Sequence, residues 1–594
     1  MSSVLAAAGG SFLLESLQPE QVFTPEDTTE EQQQIAATAA RFAREEILPA
    51  AAAIEVKKPG AMAALLRKAA ALGFTAADVP EQYGGMGMDT VTSVLITDRL
   101  SVLASFSTAF GAHVGIATLP VLWYGTEEQK TRYLPKLASG EWIGAYALSE
   151  ASSGSDAMNI RTRASLSADG SHYTLDGEKQ WTTNGGIADL YTVFAKIDGE
   201  KFSAFLVERG TPGLSVGAEE HKMGIRGSST CALVFAGCKV PKANLLGEAG
   251  KGHHIAFNVL NVGRFNLGVA CVGGARQALD EMIRYAKERR AFGKPIAEFG
   301  LIQRKIAASS ARLFAAESMA YRTAGLIDAS LATAEGERQQ ASDVPARLAE
   351  YAVESSIMKV YGSEMLSLVA DELVATMGGV GYVEAYPAER YYRDARINRI
   401  FEGTNEINRL IITGWLMKRA MKGKLPLLAA IKRVIDEATL PPELDGAVGT
   451  DALLGREAAV LAAVKKMALF ASGVASQRFM TELEEQQEVM ADLADIIGQI
   501  YALESALLRA RKLALAGRST AEAAAAMTGL LAEESMALAE HAARRVLAAC
   551  AEGDALRTQL AILRRLARFM PTDAVTLSRT VAQFAVGLAR YPIS

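Results

Sequence analysis

The sequence predicts an α+β fold, mostly α. A helical N-terminal domain, a middle β-barrel-like or β-sandwich domain and a C-terminal four-helix bundle are followed by an extra helical domain. Three observations predict this. Alanine is abundant and proline scarce, 17 in 594 residues, which favours helix. Short β-type runs split by glycine and asparagine turns are confined to residues 141–249, between helical stretches, as a separate sheet domain requires. Beyond a proline-containing segment at 424–455, residues 456–594 are again helical and alanine-rich.

Taken in order, residues 1–27 read as an irregular lead-in. Residues 28–140 read as a helical domain: Thr28 to Glu31 offers a start signal, and Ile35, Ala39, Phe42 and Ile47 keep helical spacing. Pro80 to Gly87 is a glycine-rich loop with no following Lys-Ser/Thr, so it reads as a turn rather than a phosphate cradle. Thr126 to Gln129 caps a further helix. In the sheet domain, Tyr173-Thr174-Leu175 running into Asp176-Gly177 predicts a hairpin. Tyr191 to Ile197, Phe202 to Val207 and Cys231 to Phe235 predict strands. Residues 250–423 predict the bundle. One helix ends at Arg290, a second carries Ile302, Ile306, Leu313 and Phe314, and a third runs from Val344 to Met377, closed by Gly378-Gly379. Residues 424–455 are a linker or a membrane-interface segment, and 456–594 the helical extension.

The chain is too long for one core. Half its residues are apolar and 22% charged, with a net charge of −5 and interspersed signs, which points away from nucleic acid. None of the four cysteines lies in a CxxC pair, so core packing in a reducing compartment is expected and no metal site is indicated. The first arginine is Arg41, so the N-terminus does not read as a secretory or transit peptide, and no uncharged apolar run of about 18 residues stands out. A cytoplasmic protein is expected.

Chemistry concentrates in Arg399-Ile400-Phe401-Glu402-Gly403-Thr404-Asn405, just before an amphipathic helix through Ile407, Leu410, Ile411 and Trp415. A lone glutamate before a helix is usually an exposed loop residue or a dipole partner. Here it stands between an aromatic and a glycine, with Arg390, Arg393, Arg396 and Arg399 upstream. Desolvation would raise its pKa and nearby arginines would oppose the rise, a balance that suits a general base. Two further stretches carry polar groups on turns. Leu148 to Asp156 offers hydroxyls and exposed backbone N–H groups, or is simply a serine-rich turn. Trp181-Thr182-Thr183-Asn184 could stack an indole on a flat ring, or is a core tryptophan.

Together, in this order and separated by a β domain, these motifs resemble the acyl-CoA dehydrogenase family over about residues 20–421. The resemblance includes Arg289-x-x-Phe292-Gly293, Gln303, Gly378 to Tyr382 with Arg390 and Asp394, and Phe401 to Asn405. Asn261 to Phe265 and the C-terminal block look most like the very-long-chain branch. The resemblance implies FAD as cofactor and Glu402 as the base that removes the proton next to the thioester, while a hydride passes to flavin N5. The backbone N–H of Glu402 and a flavin ribityl hydroxyl would polarise the carbonyl. Tyr146, Leu148, Ser149 and Gly154 match the flavin-lining side, Trp181 the indole over one ring face, Thr182 its neighbour and Thr183 the hydroxyl facing N5. Ser155 matches a contact to both FAD and acyl-CoA. Arg289, Phe292, Gln303, Gly378 and Gly379 match contacts to the FAD of the neighbouring subunit, implying a homodimer. Thr404 and Asn405 match further FAD contacts; Arg264, Phe265 and Gly403 match the substrate side. Some members take the base from the helix after the middle domain, but Arg264 to Leu279 contains no Asp or Glu. Ala375, Ala385, Asn159 and Thr182 depart from the family's usual residues.

The resemblance implies a dehydrogenase that turns medium- to very-long-chain fatty acyl-CoA into trans-2-enoyl-CoA in β-oxidation and passes electrons to electron-transfer flavoprotein. The alternatives are an acyl-CoA oxidase that reacts with oxygen and a flavin-bearing assembly or scaffold protein. The C-terminal block reads as a packing domain, or, by resemblance, as a peripheral membrane contact through Leu425 to Ile435 and Val460 to Phe470.

Overall fold

In the computed structural model, which describes residues 7–332, 344–439 and 453–593, a helical block leads. Its helices are α1 (Glu30–Phe42), α2 (Leu48–Glu55), α3 (Ala61–Ala71), α4 (Thr90–Leu100), α5 (Ala104–Gly111), α6 (Thr118–Tyr124) and α7 (Glu127–Ala138). Capping boxes start α1 and α7. Thr29 Oγ1 accepts Gln32 N–H and Gln32 Oε1 accepts Thr29 N–H, and Thr126 and Gln129 repeat the exchange. The glycine-rich stretch before α4 is a turn, with Gly84 and Gly87 at positive φ.

The sheet that follows comprises β1 (Gly144–Ala147), β2 (Arg163–Leu166), β3 (His172–Thr183), β4 (Leu190–Ile197), β5 (Lys201–Glu208), β6 (Leu214–Glu219), β7 (Thr230–Pro241) and β8 (Leu245–Leu246). Their order is β6-β7-β3-β2-β4-β5-β8, with β1 parallel to the first half of β4. The sheet curls: the rings of Tyr173 on β3 and Phe205 on β5, strands not hydrogen-bonded to each other, lie 5.2 Å apart. The hairpin expected at Asp176-Gly177 is absent. β3 runs straight through as a bulge, with a register shift against β7 between Leu175 and Gly177. Thr162 lies too close for a side chain at 177, and Asp176 Oδ1 accepts Gly237 N–H, so the glycine serves a close approach rather than a turn.

The bundle consists of α8 (Gly252–Glu288), α9 (Gly300–Leu331), α10 (Val344–Glu350), α11 (Ala352–Met377), α12 (Ala388–Ala395) and α13 (Asn405–Met421). Between α8 and α9 sits a small ribbon of β9 (Arg290–Ala291) and β10 (Lys294–Pro295). The helix expected from Val344 to Met377 breaks at Tyr351. There Glu350 Oε1 and Glu354 Oε1 accept the N–H groups of Gly9 and Gly10, and Tyr351 OH donates to Ala7 O. The lead-in is therefore a strap with three short 3₁₀ turns rather than a loose end.

The extension adds α14 (Leu427–Thr439), α15 (Gly455–Phe479), α16 (Gln487–Leu515), α17 (Ala521–Cys550), α18 (Gly553–Leu566) and α19 (Ala574–Leu588). Helices α16, α17 and α19 pack on α9. Buried ion pairs tie the joint: Arg509 to Glu317 (2.6 Å) and Glu26 (2.7 Å), and Arg322 to Glu504 (2.8 Å). All four cysteines are buried and unpaired with one another.

By length and composition three helical stretches, Ala104–Tyr124, Gly252–Glu288 and Gly455–Glu485, reach what a membrane crossing needs, which corrects the sequence reading. More than half of each apolar window is buried in the fold. Leu427, Ile431 and Val434 of α14 and Val460, Val464 and Met467 of α15 also point inward, so these apolar faces, considered above for a membrane interface, are used in packing. Part of the 424–455 segment lies outside the described residues.

Candidate active site

Glu402 stands on the turn between a 3₁₀ segment ending at Arg399 and α13. Its φ is +58° and that of Gly403 is +76°. A non-glycine residue there costs about 1 kcal/mol or more, so the surroundings must hold it. They do. Asn408 Nδ2 reaches the carbonyls of Glu402 (3.4 Å), Gly403 (3.0 Å) and Thr404 (3.0 Å). Thr404 Oγ1 caps α13 by accepting Ile407 N–H. From α8, Arg264 Nε donates to Glu402 O (3.4 Å) while its Nη1 donates to Asn261 Oδ1 (2.9 Å). From α11, Lys359 Nζ donates to Asn405 Oδ1 (2.7 Å).

The side chain sits against α8. A Cβ added to Gly263 would lie 2.5 Å from Glu402 Oε2, so glycine there makes room for the carboxylate. Glu402 is half-buried as a residue, but its Oε2 is wholly buried and finds no partner. Burial pushes the carboxyl up to about 7, with Arg264 and Lys359 opposing the rise. The arginines of 390–399, expected from the sequence to do this, are not the opposing charges: Arg393, for example, is taken by Glu55 and Glu389.

Tyr146, at the end of β1, belongs to the same neighbourhood. Burial raises its phenol well above the usual range, Glu402 adds to the rise and Arg264 opposes it. Its hydroxyl is buried without a partner. Leu148 and Ser149 follow on the same stretch. Leu148 O accepts the buried Lys179 Nζ, which also pairs with Glu150 (2.6 Å), and Ser149 O accepts Gln180 N–H. Gly154 and Ser155 are exposed on the loop beyond. Trp181 is 56% exposed with φ +55°, and Thr183 shares its face of β3. Thr182 points the other way; its hydroxyl is buried and unpartnered, so its side chain is not on the face that Trp181 and Thr183 share. Phe265 is buried.

A second group gathers at the far end of the bundle. Arg289, Phe292 (94% exposed) and Gln303 flank the β9–β10 ribbon, and Gly378-Gly379 ends α11. Tyr285 OH donates to Met377 O and joins the two places. Among the described residues, no hydrogen bond or ion pair links this group to the Glu402 turn within the chain. Sequence reasoning missed Asn408 and Lys359. A lone lysine in the apolar run Ser356-Ile357-Met358-Lys359-Val360 was the available signal, since such a lysine is seldom buried without a task.

The residues fit a flat, polar-edged cofactor. Added Cβ atoms at Gly154, Gly378 and Gly379 meet nothing within 4 Å, so the backbone is open to close approach. Trp181 presents its indole outward and the Tyr146 hydroxyl is unsatisfied.

A helical block, a curled sheet and a bundle meet around the Glu402 carboxyl, with the Tyr146 hydroxyl and Arg264 in the same neighbourhood. Comparison with known proteins makes the class specific. Residues 29–141, 145–238 and 250–417 match the N-terminal, middle and C-terminal domains described for acyl-CoA dehydrogenase, and residues 463–565 match a further acyl-CoA dehydrogenase C-terminal domain. A probable acyl-CoA dehydrogenase of Bacillus subtilis is 45% identical over 589 residues, 98% of each chain. The human mitochondrial very long-chain specific acyl-CoA dehydrogenase is 40% identical over 351 residues, 57% of this chain and 51% of that protein. The crystal structure of an acyl-CoA dehydrogenase complexed with FAD from Bacillus anthracis is 44% identical with a TM-score of 0.95, covering 98% of this chain and 100% of that one. The chain belongs to the acyl-CoA dehydrogenase family.

Proposed function

We propose that this enzyme removes hydrogen from C2 and C3 of medium- to very-long-chain fatty acyl-CoA, giving trans-2-enoyl-CoA, with Glu402 as the base. One observation carries the reading: a carboxyl pushed up to about 7, unpaired at Oε2 and faced by two cations. Such a group is half ionised near neutrality, where a base for a carbon acid works best. The C2 proton passes to the carboxylate. The Glu402 N–H, which nothing accepts among the described residues, is available to the thioester oxygen, where negative charge grows as the proton leaves. FAD, when bound, supplies the acceptor for the C3 hydride at its N5. Tyr146, Leu148, Ser149, Trp181 and Thr183 would hold its ring, with Thr404 and Asn405 beside it.

An apolar cavity of about 410 Å³ supports the long acyl tail. Leu119, Leu122, Trp123, Phe265, Ile327 and Leu331 line it. Asn261 and Val262 of α8, the helix that also carries Gly263, line it too; Glu402 does not. The separate group of exposed Arg289, Phe292, Gly378 and Gly379 with the half-buried Gln303 supports a homodimer in which each subunit completes its neighbour's cofactor site. Electron-transfer flavoprotein is the proposed acceptor.

The test is anaerobic bleaching of the flavin by acyl-CoAs of graded length. Bleaching by palmitoyl-CoA is expected; none would remove the reading. Stoichiometric peroxide under air would replace the dehydrogenase with an oxidase.

A further inference from the structure

Lys359 is the buried charge that the reaction does not obviously use. It is wholly inaccessible on α11, forms no ion pair among the described residues, and has one hydrogen-bond partner, the neutral Asn405 Oδ1 at 2.7 Å. Taking an ammonium out of water without a counter-ion costs several kcal/mol. Its partner lies three residues beyond Glu402. Asn405 Nδ2 in turn donates to Ser363 Oγ (3.1 Å) and Glu364 Oε1 (2.9 Å), so three residues of α11 grip the first residue of α13. The groups that face Glu402 are Arg264 from α8, Lys359 from α11 and Tyr146 from β1. Those that face Lys359 are Cys271 and Arg264 from α8, with Glu402 and Glu406 from the base-bearing turn and α13.

We propose that Lys359 is a positioning residue for Glu402: through Asn405 it fixes the turn that carries the carboxylate, and its unpaired charge favours the ionised carboxylate in a dry site. The two tasks need the same placement. An ammonium neutralised by its own carboxylate would hold the turn and leave Glu402 protonated. A surface lysine would be screened by water. Arg264 acts on the same turn from α8, through the backbone carbonyl of Glu402 and as the larger opposing charge, so Lys359 is a second hold, from α11. Burial lowers the Lys359 ammonium to about 8, so it remains charged at neutral pH while giving up its own proton more easily than a surface lysine.

The inference rests on the proposed base, and its test separates the two. Lys359→Gln keeps a hydrogen-bond donor for Asn405 and removes the charge; Lys359→Arg keeps the charge; Lys359→Met removes both. Each is made in the FAD-loaded protein and again with Glu402→Gln, with flavin absorbance per chain as the check on loading. The first readout is the pH dependence of flavin bleaching by palmitoyl-CoA. In Lys359→Gln the midpoint should rise by about one pH unit, lowering the rate about tenfold below it and sparing the rate well above it. Lys359→Arg should stay at the parent midpoint. The second readout needs no catalysis: the difference in melting temperature between Glu402 and Glu402→Gln proteins, followed against pH, reports the proton on Glu402. Its midpoint should shift upward with Lys359→Gln. An unshifted midpoint in both readouts, or a loss of rate equal at every pH, would overturn the proposal. Lys359→Met reads the same midpoint if Lys359→Gln fails to accumulate. Retained turnover in Glu402→Gln alone would sink the base and leave the melting test of Lys359 standing.

Discussion

Two buried glutamates on neighbouring parts of the molecule show opposite behaviour. Glu402, on the turn before α13, is pushed up to about 7. Glu317, in the middle of α9, is more completely buried and is nevertheless pulled down to about 2. Burial favours the neutral acid in both cases, so burial does not decide the outcome. The partners do. Glu317 accepts Arg276 at Oε1 and Arg509 at Oε2, each at a direct ion-pair distance, and neither oxygen is left over. Glu402 has cations near enough to feel but an Oε2 with nothing to bond. Full pairing keeps Glu317 ionised, whereas an unpartnered oxygen lets burial raise Glu402, as it also raises Glu354 under the N-terminal strap.

The largest effect that would break this contrast comes from Glu402→Gln. It should keep the flavin and lose turnover by about a thousandfold, which single-turnover bleaching measures. Retained turnover would put Glu402 on the structural side of the comparison. Next, Glu317→Ala leaves the buried Arg276 and Arg509 with one carboxylate each, Asp98 and Glu26, and should destabilise the fold by about 1–3 kcal/mol in denaturant unfolding. A cost under about 1 kcal/mol would mean that the joint does not depend on full pairing.

The pH dependences have opposite signs and sharpen the point. The raised pKa of Glu402 means that the folded chain holds a proton which the unfolded chain releases above 4.5, so this contribution fades as pH rises from there through about 7. The depressed pKa of Glu317 gives a contribution present above 4.5 and lost as pH falls toward about 2. Melting curves of the parent against Glu402→Gln and Glu317→Gln should therefore diverge at opposite ends of the pH range. The smallest effect expected is from Thr404→Ala, which removes the cap of α13 and should cost about 1 kcal/mol, read as a fall in melting temperature.

Local pattern made the helix–sheet–helix order legible, because alanine-rich helical spacing and glycine-split β runs act over a few residues. The family resemblance, rather than local pattern, brought out Tyr146 and Arg264, which share one neighbourhood with Glu402 although each sits in a different part of the chain. What local pattern could not reveal depends on distant contacts. Asp176-Gly177 has the composition of a turn, yet Thr162 and Gly237 make it a bulge. Arg393 looked like a neighbour of the base until Glu55, far back in the sequence, claimed it. Asn408 and Lys359 carried no motif, since their work lies in which carbonyl or amide they reach. The strap at the N-terminus reads as loose because its partners, Glu350, Glu354 and Arg509, are hundreds of residues away.

That strap has a consequence for biosynthesis. Glu317 on α9 is completed by Arg509 from the extension, Arg509 by Glu26 from the strap, and Tyr591, beyond α19, reaches both Asp280 and Glu317. A nascent chain that has left the ribosome only as far as α13 already contains α9 and Arg276, but not Arg509 and Tyr591, which complete Glu317. Segments far apart in the chain must therefore meet on the same helix before the central ion cluster closes. Closure of that cluster waits for synthesis of the extension rather than proceeding block by block.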